Sequence, residues 1–161
     1  MHEYNRSVYV MKAISGDLIQ LAQEGSFEVI AHGCNCQCVM GAGIAKTIKK
    51  VFPKAYDADC RTKKGSRDKL GSCSVATCET ATGTLEVVNA YTQFHWRGSG
   101  VKADYEAIRT CMQWIKRRYA GQRIGLPKIG AGLAGGDWKV IQAIIEEELA
   151  DEDVTIVEYQ P

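Results

Sequence analysis

Residues 28–34 read Glu-Val-Ile-Ala-His-Gly-Cys, a mostly apolar run that predicts a buried strand. Residues 8–14 alternate and are β-branched enough for an earlier one. Residues 41–52 fit a helix that Pro53 stops or redirects, because proline brings no N–H to the turn before it. A second helix is expected over 54–63. Residues 72–77 and 84–91 read as neighbouring strands joined through the turn-rich stretch 79–83, a candidate hairpin. Tyr105, Ile108, Cys111, Met112 and Ile115 recur at helical spacing within 104–119, as do Val140, Ile141, Ile144, Ile145 and Leu149 within 138–149. Both stripes are core faces. Short strands are expected at 123–126 and 154–159. Strands and helices thus interleave along most of the chain, which predicts an α/β fold, a three-layer α/β/α sandwich with a mixed central sheet. In such sheets ligands sit beyond the carboxyl ends of the strands.

Composition narrows the picture. At 161 residues and 45% apolar content the chain suits one globular domain, residues 1–161, with no linker-like or low-complexity tract. No apolar run reaches the roughly 18 residues that span a bilayer, and the N-terminus lacks a basic-then-apolar leader, so a soluble cytoplasmic protein with no membrane partner is expected. Cys34, Cys36 and Cys38 alternate at the end of the buried strand, and at period two they would share one side of an extended segment. Their spacing lacks the Cys-x-x-Cys pairing and His partners of common zinc sites, so buried thiols in a reducing compartment, with no metal and no cofactor, is the expectation. The net charge of +1 carries no general nucleic-acid signature. Residues 46–69 hold nine Lys or Arg against three Asp, whereas 146–153 are strongly acidic, and both read as solvated helix faces.

The chemistry lies in two glycine-rich stretches. His32-Gly33-Cys34-Asn35-Cys36-Gln37-Cys38-Val39-Met40-Gly41-Ala42-Gly43-Ile44-Ala45 leads from strand through turn into helix, a junction suited to an anion. Gly41 and Gly43 let backbone amides approach a ligand, and the amides opening the helix have no partner within it. Leu126-Pro127-Lys128-Ile129-Gly130-Ala131-Gly132-Leu133-Ala134-Gly135-Gly136-Asp137-Trp138 again joins a short apolar strand to an amphipathic helix. Two such loops can clasp a diphosphate from both sides.

These residues, in this order, resemble a macro domain, the module that binds ADP-ribose. The resemblance also takes in Gly16-Asp17-Leu18 after the first strand and a last strand ending near Tyr159, and so covers nearly the whole chain. Within the superfamily the sequence looks most like the branch holding the fungal-type ADP-ribose 1''-phosphate phosphatase, the terminal ADP-ribose glycohydrolase and the antitoxins that strip ADP-ribose from DNA. By position, the resemblance implies that Asp17 accepts a hydrogen bond from the adenine amino group, with Ile19 beside the ring. Asp17 as a simple turn cap is the alternative. Tyr159 either covers the adenine or packs on the core. Asn35 is implied at the distal ribose, its amide able to donate and accept at once, or else serves only its turn. Gly41, Ala42, Gly43 and Ile44 would hold one side of the diphosphate, with Pro127, Ile129, Gly130, Ala131, Gly132 and Leu133 on the other.

The departures from the family pattern matter equally. The glycohydrolase and DNA-directed antitoxins carry a lysine in a pattern resembling Thr-Lys-x-His-Trp-Arg, where this chain reads Thr92-Gln93-Phe94-His95-Trp96-Arg97. Gln93 has no amine lone pair to attack the sugar. The glycohydrolase also uses an aspartate in its second loop, where Ala134 stands here. The resemblance therefore implies phosphatase action on ADP-ribose 1''-phosphate, with Asn35 and His95 as catalytic candidates. His95 as part of a plain surface loop stays open beside that, and His32 reads as a satisfied histidine at the core edge. The expected partners are ADP-ribose or ADP-ribose 1''-phosphate, with a non-catalytic reader or a hydrolase of ADP-ribosylated macromolecules as alternatives and free nucleic acid not expected.

Overall fold

A computed structural model describes residues 9–160. In chain order they form β1 (Lys12–Gly16), α1 (Leu18–Gln23), β2 (Val29–Asn35), α2 (Gly43–Val51), α3 (Pro53–Cys60), β3 (Cys73–Thr80), β4 (Gly83–Gln93), α4 (Tyr105–Tyr119), β5 (Ile124–Leu126), α5 (Trp138–Glu148) and β6 (Val154–Tyr159), with one 3-10 turn at Arg67–Lys69. The strands make one sheet in the order β1-β6-β5-β2-β4-β3. All neighbours are parallel except β3 and β4, whose two-residue connection leaves room only for an antiparallel return.

The period-two alternation divides side chains between two cores. Leu85 and Val87 of β4 join Ile30, Phe27 and Ile48 on one face, while Val88 and Ala90 join Ile108, Met112, Ile141 and Ile145 on the other. Helices α1 to α3 cover the first face and α4 with α5 the second, so the molecule is a three-layer α/β/α sandwich around a mixed sheet. Each central strand is buried on both faces because each has helices above and below it. No helix among the described residues is long and apolar enough to cross a membrane.

Several boundaries depart from the sequence expectation. The first strand occupies 12–16 rather than 8–14, and residue 8 lies outside the described residues. The segment after Asp17 is a full helix, α1, rather than a turn, since the Asp17 carboxylate accepts the N–H groups of Ile19 and Gln20 and starts it. The helix expected from 41 begins at Gly43, with Ala42 extended before it. Pro53 opens α3 as well as ending α2, because its fixed φ suits the first helical position. β3 runs to Thr80, as the turn needs only residues 81 and 82. The two later helices start where capping carboxylates allow: Asp104 accepts from Ala107 N–H, and Asp137 from Lys139 N–H.

Candidate ligand-binding site

Beyond the carboxyl ends of β2, β4 and β5 lies a cavity of about 630 Å³, a size usual for small-molecule sites. Gly33, Cys34 and Asn35 of β2 and Thr92 and Gln93 of β4 form its base. Val39 and residues 41–45 make one wall, and Pro127, Lys128, Ile129, Gly130, Gly132, Leu133 and Ala134 the other, with Trp96 and Lys102 at one end. The two glycine loops therefore face one another. A methyl group placed on Gly43 would stand 3.5 Å from Leu133 Cδ1.

Both walls present backbone amides. Gly43 has φ +58°, and Ala42 supplies no side-chain cap, so the amides that open α2 are left to the cavity. In the second loop the Gly136 N–H donates to Gly130 O at 2.7 Å and curls the chain tightly, while the N–H groups of Gly132, Leu133 and Ala134 meet no backbone acceptor among the described residues. A Cβ at Gly136 would lie 2.6 Å from that same carbonyl. The loop's curvature thus requires glycine there.

The side chains add selectivity. Asn35 donates from Nδ2 to Val39 O at 2.8 Å and accepts the Gln37 N–H on Oδ1 at 2.9 Å. It serves its turn and lines the cavity at once, with one N–H and one lone pair left for a ligand. Cys34 also lines the cavity, but burial pushes its thiol well up, so it stays protonated at neutral pH and is no nucleophile. Cys34 and Cys36 pack in one buried cluster with Met40 and Tyr91, whereas Cys38 lies past the end of β2 at φ +57° and its thiol donates to Asp59 O.

His32 is buried and lies directly opposite Asn89 in the β2/β4 register. Asn89 Nδ2 donates to Ala55 O and Ser74 Oγ, which leaves Oδ1 to accept from His32 Nε2–H at 2.7 Å. Desolvation lowers the imidazole to about 4 against its ordinary 6.5, and the Asn89 hydrogen bond only partly offsets this. His32 is a neutral strut between central strands.

Other candidates lie off the cavity wall. Asp17 spends one oxygen on capping α1, at 3.0 and 3.1 Å from the Ile19 and Gln20 amides, and Ile19 is packed into the core. Tyr159 is exposed and pairs in register with Gly16, next to Asp17, at the β1/β6 side of the site. Ala131 packs against the α4/α5 core. His95 stacks on Trp96 at 4.2 Å and accepts the Arg97 N–H on Nδ1 at 2.9 Å, the arrangement of a self-contained loop. Sequence reasoning overlooked Gly33, Thr92, Trp96, Lys102 and Lys128. Gly33, Lys128, Thr92 and Trp96 lie within the stretches that sequence singles out, and only Lys102 falls outside them; at Gly33 a Cβ would fall 2.7 Å from Thr92 Oγ1.

The cavity wall holds two lysines and no carboxylate. This concave, amide-lined, cationic site at the carboxyl edge of an α/β/α sandwich agrees with what comparison with known proteins shows. The macro domain family matches residues 31–145. A 17.5 kDa protein of Enterobacteria phage T4 is 36% identical over 157 residues, spanning 94% of this chain and 98% of its own. A DNA ADP-ribosyl glycohydrolase of Mycobacterium tuberculosis is 28% identical across 91% of this chain, which spans only 41% of that protein. An ADP-ribose 1''-phosphate phosphatase of Scheffersomyces stipitis is 24% identical, across 92% of this chain and 100% of its own. A solved protein of unknown function from Bacteroides thetaiotaomicron superposes with a TM-score of 0.75 at 27% identity, covering 93% of this chain and 97% of that one. The chain belongs to the macro domain family, the ADP-ribose-binding module that its two glycine loops resemble.

Proposed function

We propose that this macro domain binds ADP-ribose with its diphosphate between the two glycine loops, and that it hydrolyses ADP-ribose 1''-phosphate to ADP-ribose and inorganic phosphate. The observation that carries this reading is the pair of glycine loops facing one another across the cavity, with backbone amides on both walls and no carboxylate among the lining residues to repel a diphosphate. The strand order runs from β1 and β6 through β5 and β2 to β4. A nucleotide laid along it has its adenine near Asp17 and Tyr159, its diphosphate over Gly43 and Gly132, and its distal ribose at Asn35, Gln93 and Trp96. The phosphatase named above, similar along its full length, supports the same assignment.

Phosphoryl transfer suits such a site, because its transition state is stabilised chiefly by positioning and by charge rather than by covalent chemistry. A water oxygen bonds to phosphorus, the bond from phosphorus to the 1'' oxygen breaks with its electron pair staying on that oxygen, and a proton from water ends there. Asn35 orients the ribose. His95, stacked on Trp96, takes no step in this scheme.

Incubating the protein with ADP-ribose 1''-phosphate and measuring inorganic phosphate tests the reading. Release above a buffer control is expected. Calorimetric binding of ADP-ribose without any release would leave a reader module. A second reading, removal of ADP-ribose from macromolecules, is favoured by the glycohydrolase relative and opposed by Gln93 and Ala134, which leave no amine or carboxylate at those positions. It requires the wild type to strip an ADP-ribosylated oligonucleotide.

A further inference from the structure

The two cations of the cavity are not equivalent. Lys128 is already committed, with its Nζ 3.0 Å from Glu158 Oε1 on β6. Lys102 is half-buried, has no carboxylate within ion-pair distance among the described residues, and donates to the Gly100 carbonyl at 3.1 Å. An ammonium that lines a ligand cavity and is paired only with a backbone dipole keeps most of its charge for an incoming anion.

Its place in the cavity is fixed by the backbone on either side. The Lys102 and Ala103 N–H groups donate to Ala134 O at 2.8 and 3.3 Å, which ties this segment to the second glycine loop. The Asp104 N–H donates to Thr92 O at 2.8 Å, which ties it to the end of β4. Lys102 is therefore held between the two elements that close the Gln93 and Trp96 end. That end is opposite the β1/β6 edge, where the adenine lies on the reading above. Gln93 in the same wall is neutral, and Lys128 stands toward β6. Among the residues that line the cavity, Lys102 is the uncommitted positive charge at the sugar end.

Resting on the phosphatase reading, we infer that Lys102 holds the terminal phosphate of ADP-ribose 1''-phosphate and makes the site select ligands with an anionic substituent on the distal ribose. The ammonium donates to the phosphate oxygens in the ground state and remains beside them as the bond to the sugar oxygen breaks. ADP-ribose, with a hydroxyl in place of the phosphate, gains little from it. The same lysine thus favours ADP-ribose 1''-phosphate over ADP-ribose.

The test compares wild type, Lys102→Met and Lys102→Arg in two measurements: steady-state phosphate release from ADP-ribose 1''-phosphate, and the calorimetric Kd for ADP-ribose. Loss of a charge-assisted hydrogen bond predicts that Lys102→Met lowers kcat/KM by about tenfold to a hundredfold. Its ADP-ribose Kd should stay within about threefold of wild type, which also shows that the variant is folded. Lys102→Arg should recover most of the loss. Equal losses in kcat/KM and in ADP-ribose affinity, or no loss in either, would overturn the assignment and leave the phosphatase reading standing. A wild type that binds ADP-ribose but releases no phosphate would overturn both.

Discussion

At the scale of single residues, the clearest physical statement concerns His32. Its folded pKa of about 4 lies below the ordinary 6.5, so between those values the unfolded chain binds a proton that the folded chain refuses. Stability from this group is complete above pH 6.5 and falls away as pH drops toward 4, by roughly 3 kcal/mol. Burial pushes the Asp59 carboxyl up from the ordinary carboxylate range, which acts in the opposite sense as pH changes. The difference between wild type and His32→Gln isolates the histidine. Urea midpoints across pH 7 to 4.5 are expected to fall more steeply in wild type than in His32→Gln, and parallel curves would contradict a buried neutral imidazole. The sequence reading of His32 as a satisfied histidine was right in kind, but its partner Asn89 is 57 positions away in the chain and was invisible there. Asn35 and Asp17 show why sequence by itself leaves residue roles open. Each makes its local turn or cap bonds, and for Asn35 only the assembled fold shows a second surface turned to the cavity.

At the scale of elements, the second glycine loop offers a direct check. Gly136 sits where any Cβ would meet Gly130 O at 2.6 Å and Ile141 Cδ1 at 2.8 Å, so Gly136→Ala must push the loop away from α5. Overpacking of this kind costs about 1–3 kcal/mol. It should also move the amides of Gly132 and Leu133 and weaken ADP-ribose binding several-fold, as measured by calorimetry alongside a denaturation midpoint. Unchanged binding and stability would mean that the loop has slack. Long elements with strong periodicity, such as α4, α5 and β2, were legible because each turns one or both faces to a core regardless of neighbours. Ends were less legible. Short α1 has too few residues for a periodic signal, and its existence depends on the Asp17 cap and on packing against Ile30 and Val157.

For the whole molecule, binding in a pre-formed cavity couples directly to global stability. A ligand at 100 times its Kd adds about 2.7 kcal/mol to the folded state, which for a chain of this size raises the thermal midpoint by roughly 5–10 °C. ADP-ribose is expected to produce this shift in a thermal scan. No shift at millimolar ligand would reject the cavity as a nucleotide site.

The sequence alone determined the α/β alternation, the two glycine loops and the family resemblance, because all three are written in local spacing: period two, period 3.6, and glycine where strand turns into helix. The tertiary structure decided which residues share the cavity. Lys102, Trp96 and Thr92 reach it only because β4 lies beside β2 and the Ala134 carbonyl captures the amides of Lys102 and Ala103. Contacts of that kind depend on which segments become neighbours on folding, and residue spacing along the chain does not encode them.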